Sequence, residues 1–376
     1  METLNIGIIG SGFVAEIHAE SIRRFVPRAR VVACASPTGD HAATFASRHQ
    51  LPHSFTDYRA MLELPEVDVV MLCAPNYLHR QMCCDAAEAH KHIICEKPLA
   101  RTLADADQMI ETCKREGVQL MYAEELCFTP KYVRAKEVCD SGALGKLFRI
   151  KQCEKHDGPH MPWFWDVERS GGGVTLDMGC HAFEYFRWML GKPAVKSVWA
   201  DMDVFVHGER TRGDDDSLIV VEFEGGCRGV AEESWAKPGG MDDRIELYGS
   251  EGVILCDLLH GSAFQTYSKR GYDYAVEKAG STAGWSFTMY AESWNYGFPQ
   301  EVEHFVDSVL EGKPALETGE DGREVLKIIY AAYASAATGR RIDWPYDPPV
   351  WAYSPIHCWK PWLSPDCPDE LRMEDQ

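Results

Sequence analysis

Asp177 and His181 lie four residues apart in the stretch GGGVTLDMGCH, residues 171–181. Apolar residues continue at Ala182, Phe183, Phe186, Met189 and Leu190 until Gly191. The spacing predicts one helix with both side chains on one face, about one turn apart. A carboxylate beside an imidazole suits proton abstraction, because it fixes the ring tautomer and raises its basicity, and histidine titrates near neutral pH. The same spacing also serves as a surface pair worth about 0.2–0.5 kcal/mol. Lys97, in the turn Glu96-Lys97-Pro98, is a second candidate; an exposed turn lysine is the plainer reading of it. The segment 156–166 holds His156, Asp157, His160, Trp163 and Trp165 just before the glycines. Its mixture of hydrogen-bonding groups and flat rings suits the hydroxyls and C–H faces of a sugar. It also suits a core loop, or a metal held by His156, Asp157 and His160. The sugar contact is the expectation carried forward, and no metal is expected.

Elements that alternate strand and helix must position these groups. The apolar run 5–9 leads into Gly10-Ser11-Gly12-Phe13-Val14-Ala15 and then a helical pattern. In G-x-G-x-x-A, Gly10 makes a tight turn, Gly12 lets a pyrophosphate approach, and Ala15 allows close helix–strand packing. Backbone N–H groups at the helix start, at Phe13 and Val14, then face phosphate. The strand 31–35 ends at Ser36 with no acidic residue to hold a ribose hydroxyl; Asp40 is the nearest. No cation is placed for an extra phosphate, so NAD is expected, with NADP the alternative. The strand 67–73 ends in Ala74-Pro75-Asn76, with His79 following, at a strand's carboxyl end where such sheets bind ligands. A strand ending in Glu96 and Lys97 faces the same crevice, and 119–123 ends at Glu124 and Glu125.

At 376 residues the chain is long enough for two domains. A net charge of -20 with no basic run argues against a nucleic-acid groove. No apolar run reaches the roughly 18 residues that span a bilayer. Fourteen cysteines without a Cys-x-x-Cys pair read as reduced, buried thiols. The first residues enter a strand without a leader pattern, so a cytoplasmic location is expected.

In their order and separation, GIIGSGFVAEIHA (7–19), CAPNYLH (73–79), CEKPLA (95–100) and GGGVTLDMGCH (171–181) resemble the GFO/IDH/MocA oxidoreductases. That family is named for glucose-fructose oxidoreductase and inositol dehydrogenase. The resemblance covers roughly residues 4–340. It implies an α/β N-terminal Rossmann fold with a parallel sheet, over 1–124. It implies a substrate-binding and oligomerisation domain of α+β type, with an open, mostly antiparallel sheet, over 125–342. By the family pattern Lys97 contacts nicotinamide ribose and substrate, Asp177 binds or orients substrate, and His181 is the acid/base. The cofactor set is then Gly10, Gly12, Phe13, Val14, Ser36, Ala74, Pro75, Asn76, His79, Glu96 and Lys97. The substrate set is Glu124, His156, His160, Trp163, Trp165, Asp177 and His181. Ala123-Glu124-Glu125 departs from the Asn/Arg-containing segment often found there.

The expected activity is NAD-dependent oxidation of a secondary ring hydroxyl of a sugar or glycoside, with glucoside C3 oxidised to the 3-oxo-glucoside. Inositol 2-dehydrogenase is the alternative within the family, and a non-catalytic NAD-binding sensor or a glycosidase using transient C3 oxidation lies outside it.

Alternating strands are expected from Val195 onward, with helices at 300–310 and 322–338. Asp214-Asp215-Asp216 reads as a solvated loop, and 267–296 as irregular and aromatic. The tail 343–376 carries Trp344, Trp351, Trp359 and Trp362 among prolines, which excludes regular helix. It is expected to wrap over its own domain or a neighbouring subunit. A homo-oligomer (dimer, tetramer or hexamer) would cover the open sheet.

Overall fold

The computed structural model describes residues 3–259, 264–271, 281–288 and 291–371. The chain forms two compact units, Met1–Thr129 with Tyr296–Glu324, and Pro130–Asn295 with Val325–Gln376. Helices in chain order are α1 Phe13–Phe25, α2 Gly39–His49, α3 Tyr58–Leu62, α4 Asn76–Glu88, α5 Leu103–Glu116, α6 Pro130–Asp140, α7 Val167–Ser170, α8 Val174–Asp177, α9 Gly179–Leu190, α10 Glu292–Tyr296, α11 Phe298–Glu311, α12 Gly319–Thr338 and α13 Pro355–Trp359.

The first unit is a six-stranded parallel sheet of β1 Leu4–Ile9, β2 Ala29–Ala35, β3 His53–Phe55, β4 Val69–Leu72, β5 His92–Glu96 and β6 Leu120–Ala123. Its order is β3-β2-β1-β4-β5-β6. β4 and β6 are buried at every residue, as a sheet covered on both faces demands. The order reverses between β1 and β4, which opens a crevice at their carboxyl ends. α11 belongs to this unit and not, as the sequence boundary had it, to the second. It buries Val302, Phe305 and Val306, with Phe305 edge-on to Phe128 at 5.7 Å. Thr129 Oγ1 donates to the Tyr296 carbonyl at 2.8 Å, which secures the return of the chain.

The second unit contains β7 Leu147–Lys155, β8 Val195–Asp203, β9 Asp216–Phe223, β10 Arg228–Ser234, β11 Asp242–Gly249, β12 Val253–Asp257 and β15 Ile342–Asp343. They form one sheet in the order β12-β11-β7-β10-β9-β8-β15. Only β7 and β10 pair in parallel, because the long connection through α9 separates them. α9 lies so close to β10 that a Cβ on Gly229 would meet Phe186 at 2.2 Å. The segment 267–296 is not wholly irregular. β13 Phe264–Ser268 and β14 Gly284–Thr288 pair as an antiparallel ribbon, while 272–280 and 289–290 lie outside the described residues. The tail does form helix, the short α13. It packs on its own unit: Ile356 N donates to Gly171 O at 3.0 Å and Lys360 Nζ to Arg212 O at 2.8 Å. Among the described residues no helix is long and apolar enough to cross a membrane.

Candidate active site

In the first unit, Gly10 turns β1 into α1 at φ +120°. A Cβ there would lie 2.2 Å from the Cys73 carbonyl oxygen, so only glycine fits. Gly10 N donates to Ala35 O at 2.9 Å, which ties the turn to the end of β2. Gly12 precedes α1 and gives it no side-chain cap. An uncapped helix start beside a turn this tight fits the pyrophosphate of a dinucleotide. Phe13 is exposed beside it, and Val14 is half-buried. Ser11 Oγ meets Ser36 Oγ at 3.0 Å, which joins the glycine turn to the residue after β2.

Asn76 is buried at the start of α4, after the half-buried Ala74 and Pro75. His79 is wholly buried, and its burial holds the ring neutral by lowering its pKa. Its Nε2 lies 2.7 Å from Ala74 O, and its Nδ1 3.3 Å from Cys95 Sγ and 3.1 Å from Leu99 O. Burial also raises the Cys95 thiol well above its usual range. The consistent assignment is Nε2–H donating to Ala74 O and the thiol donating to Nδ1. His79 is thus a strut between the loops after β4 and β5. Replacing His79 with alanine is expected to cost about 2–4 kcal/mol, from an unpaired carbonyl plus a cavity. Chemical denaturation checks this.

Glu96, also buried, places Oε1 2.5 Å from His18 Nε2 on α1 and accepts from Lys97 N at 3.1 Å through Oε2. This pair ties the helix of the glycine turn to the turn carrying the half-buried Lys97. Glu124 is wholly buried at the end of β6. Sequence reasoning missed Glu301, whose carboxyl burial pushes well up, assisted by Glu125, Glu96, Glu124 and Glu317.

In the second unit, the expected single helix is two. α8 ends at Asp177, Met178 breaks the helix, and α9 starts at Gly179. His181 N returns to Met178 O at 3.0 Å. Asp177 and His181 thus sit on consecutive helices rather than on one continuous face, and each is only 2% exposed. Such burial excludes the surface-pair reading. Trp235, wholly buried, donates Nε1–H to Asp177 Oδ2 at 3.2 Å. That bond stabilises the ionised carboxylate and fixes its direction. Nothing in the sequence marked Trp235 beyond its place at the end of an alternating strand.

Trp235 belongs to an apolar cluster with Phe164, Val174 and Met178, against which Trp163 and Trp165 pack. Trp165 is engaged by Arg210 at 4.0 Å, by His207 at 5.0 Å and by Trp235 at 5.3 Å. His156 is buried, with Nδ1 2.7 Å from Gly158 O and its ring 4.9 Å from that of His160. The 156–166 segment therefore contributes to a packed core, with His160 and Trp163 half-buried at its margin. Asp214 and Asp215 are not solvated either: both are wholly buried. The Asp215 carboxylate accepts from Phe205 N, Val206 N and His207 N at 2.7–2.8 Å.

Residues 4–124 match the model of an oxidoreductase family with an NAD-binding Rossmann fold, and 132–255 match the GFO/IDH/MocA C-terminal domain. The chain is 29% identical to a myo-inositol 2-dehydrogenase of Thermotoga maritima, over 90% of this chain and 98% of that one. It is 26% identical to a D-glucoside 3-dehydrogenase of Escherichia coli, over 90% and 97%. The crystal structure of GenD2 from gentamicin A biosynthesis, in complex with NAD, superposes with a TM-score of 0.86 at 29% identity, covering 92% of this chain and 97% of that one. With both domains matched, the glycine turn after β1 lies within an NAD-binding Rossmann domain, and the chain belongs to the GFO/IDH/MocA oxidoreductase family.

Proposed function

We propose that this oxidoreductase oxidises a secondary ring hydroxyl of a sugar or glycoside. The observation that carries the reading is the buried pair at the α8–α9 break, an imidazole that can take a proton and a carboxylate held by an indole N–H. His181 accepts the hydroxyl proton as general base. Asp177 orients the hydroxyl, its second oxygen engaged by Trp235. The Lys97 ammonium offsets the negative charge that develops on the substrate oxygen. NAD, when bound, supplies the acceptor for the hydrogen and electron pair that leave the carbon. Gly10, Gly12, Phe13, Val14, Ser36, Ala74, Pro75 and Asn76 are assigned to hold it, with His79 and Glu96 bracing the loops. Glu124, His160 and Trp163 are assigned to the substrate, and His156 and Trp165 to supporting them.

Within this class we favour a glucoside oxidised at C3, which the similarity to a D-glucoside 3-dehydrogenase supports. The somewhat higher identity to a myo-inositol 2-dehydrogenase supports inositol as the second reading. Glucosides and inositols offered in parallel with NAD separate them: NADH formed only with inositol overturns the first. All fourteen cysteines are free, which supports a reducing cytoplasm. The sheet of the second unit leaves Leu218, Val253 and Leu255 exposed, and a homo-oligomer would cover them.

A further inference from the structure

One turn of the second unit, 171–175, is held by more buried polar groups than its length requires. It starts α8, and Gly173 gives that helix no side-chain cap. Asp214 replaces the cap from a distant loop. Its Oδ1 accepts from Gly173 N at 3.1 Å, its Oδ2 from Thr175 N at 2.8 Å, and its carbonyl from Val174 N at 2.9 Å. Tyr333 of α12 donates its hydroxyl to Asp214 Oδ1 and accepts from Gly173 N at 2.8 Å. The tail adds the third hold. Ile356 N donates to Gly171 O at 3.0 Å, and the Trp359 ring lies 6.2 Å from that of Tyr333.

Space is equally restricted. A Cβ on Gly173 would lie 2.1 Å from Asp214 O, and one on Gly172 would lie 2.5 Å from the Tyr333 hydroxyl. Asp177 N returns to Gly173 O at 3.2 Å, so the turn and the carboxylate are one hydrogen-bonded piece. The break at Met178 then hands the position of that piece to His181. None of these holds touches Asp177 or His181 directly. Each acts on the peptide from which they project.

We propose that Asp214 is a positioning residue for the reaction, and that with Tyr333, Ile356 and Trp359 it fixes the turn that sets the place of Asp177 and His181. This rests on the acid–base assignment of His181 made above. A misplacement of the order of 1 Å in such a group costs roughly 100-fold in rate.

The test uses the full chain with NAD bound. Tyr333→Phe removes one hydroxyl from the clamp, and Asp214→Asn removes the charge while keeping the shape. Each is made alone and with His181→Ala. Three quantities are read: amide hydrogen exchange over 171–181, NADH binding, and turnover of methyl glucoside or myo-inositol, whichever reacts.

In the expected result, exchange over 171–181 rises while that of 4–124 and the NADH dissociation constant stay unchanged. In the same result kcat falls roughly 10- to 100-fold. With His181 already replaced, the second substitution changes the residual rate less than about two-fold, because coupled residues are not additive. Unchanged exchange over 171–181 in both variants overturns the proposal. An equal fall in rate with and without His181 also overturns it, since that marks a general structural loss. Full activity of His181→Ala alone would instead sink the acid–base assignment, and the exchange result would still judge the clamp. If Asp214→Asn does not fold, Tyr333→Phe carries the same two outcomes.

Discussion

Replacing His181 with alanine is expected to lower kcat by roughly 10²–10⁴, the usual worth of a positioned acid/base group, or about 2.7–5.5 kcal/mol of barrier. The ring is 2% exposed, so its loss also leaves a hole, and the rate must be separated from folding. The separation follows from the two-unit architecture. His181 lies in the second unit, while the glycine turn, Ser36 and the loop after β4 lie in the first. NADH binding should therefore survive the substitution while turnover collapses. Fluorescence titration with NADH and steady-state kinetics on the same preparation make the comparison. Near-normal turnover would remove His181 from the chemistry.

Replacing Gly10 with alanine is expected to have the opposite signature, a loss of NAD binding that no sugar concentration restores. Two penalties combine. At φ +120° a non-glycine residue costs about 1–3 kcal/mol in backbone strain. The new Cβ would also meet the Cys73 carbonyl at 2.2 Å, which is backbone and cannot swing away. The turn that presents the start of α1 must then move. A ten-fold or greater weakening of NADH binding is expected, about 1.4 kcal/mol or more, with a lower melting temperature. Gly117 gives the control. It also has positive φ, +70°, but nothing lies within 4 Å of its Cβ position. Gly117→Ala should cost about 1 kcal/mol of stability and leave NADH affinity intact. Equal loss of affinity in both variants would contradict the role given to Gly10.

What could be read from residues alone follows the range of the interactions. Strands β1, β2, β4, β5 and β6 were legible because each is a short, mostly buried apolar run, and the glycine turn because its constraint is local; β3, three residues with Ser54 exposed, carries no such run. α5 carries a local signal at each end: Asp105 N donates to Thr102 Oγ1 at 3.0 Å, and Gly117 closes it. The features that went unread depend on distant partners. The break at Met178 is invisible in a periodic apolar pattern; Asp214, 37 residues beyond Asp177, caps the first piece, and Trp235 engages its end. Asp214 and Asp215 look solvated until backbone amides are seen to converge on their carboxylates. The return of α11 to the first unit leaves no local mark at all, since an amphipathic helix does not say which core it faces.

The most direct test of the account is to offer the NAD-loaded protein methyl and aryl glucosides, glucose and inositols. NADH formation is followed by its near-ultraviolet absorbance, and each product is examined by mass and by the position of its new carbonyl. The account predicts NADH together with a product two hydrogens lighter, oxidised at C3 of a glucoside, and loss of both signals in the His181→Ala protein. Firm NAD binding, with no ring hydroxyl oxidised anywhere in the panel, would contradict it.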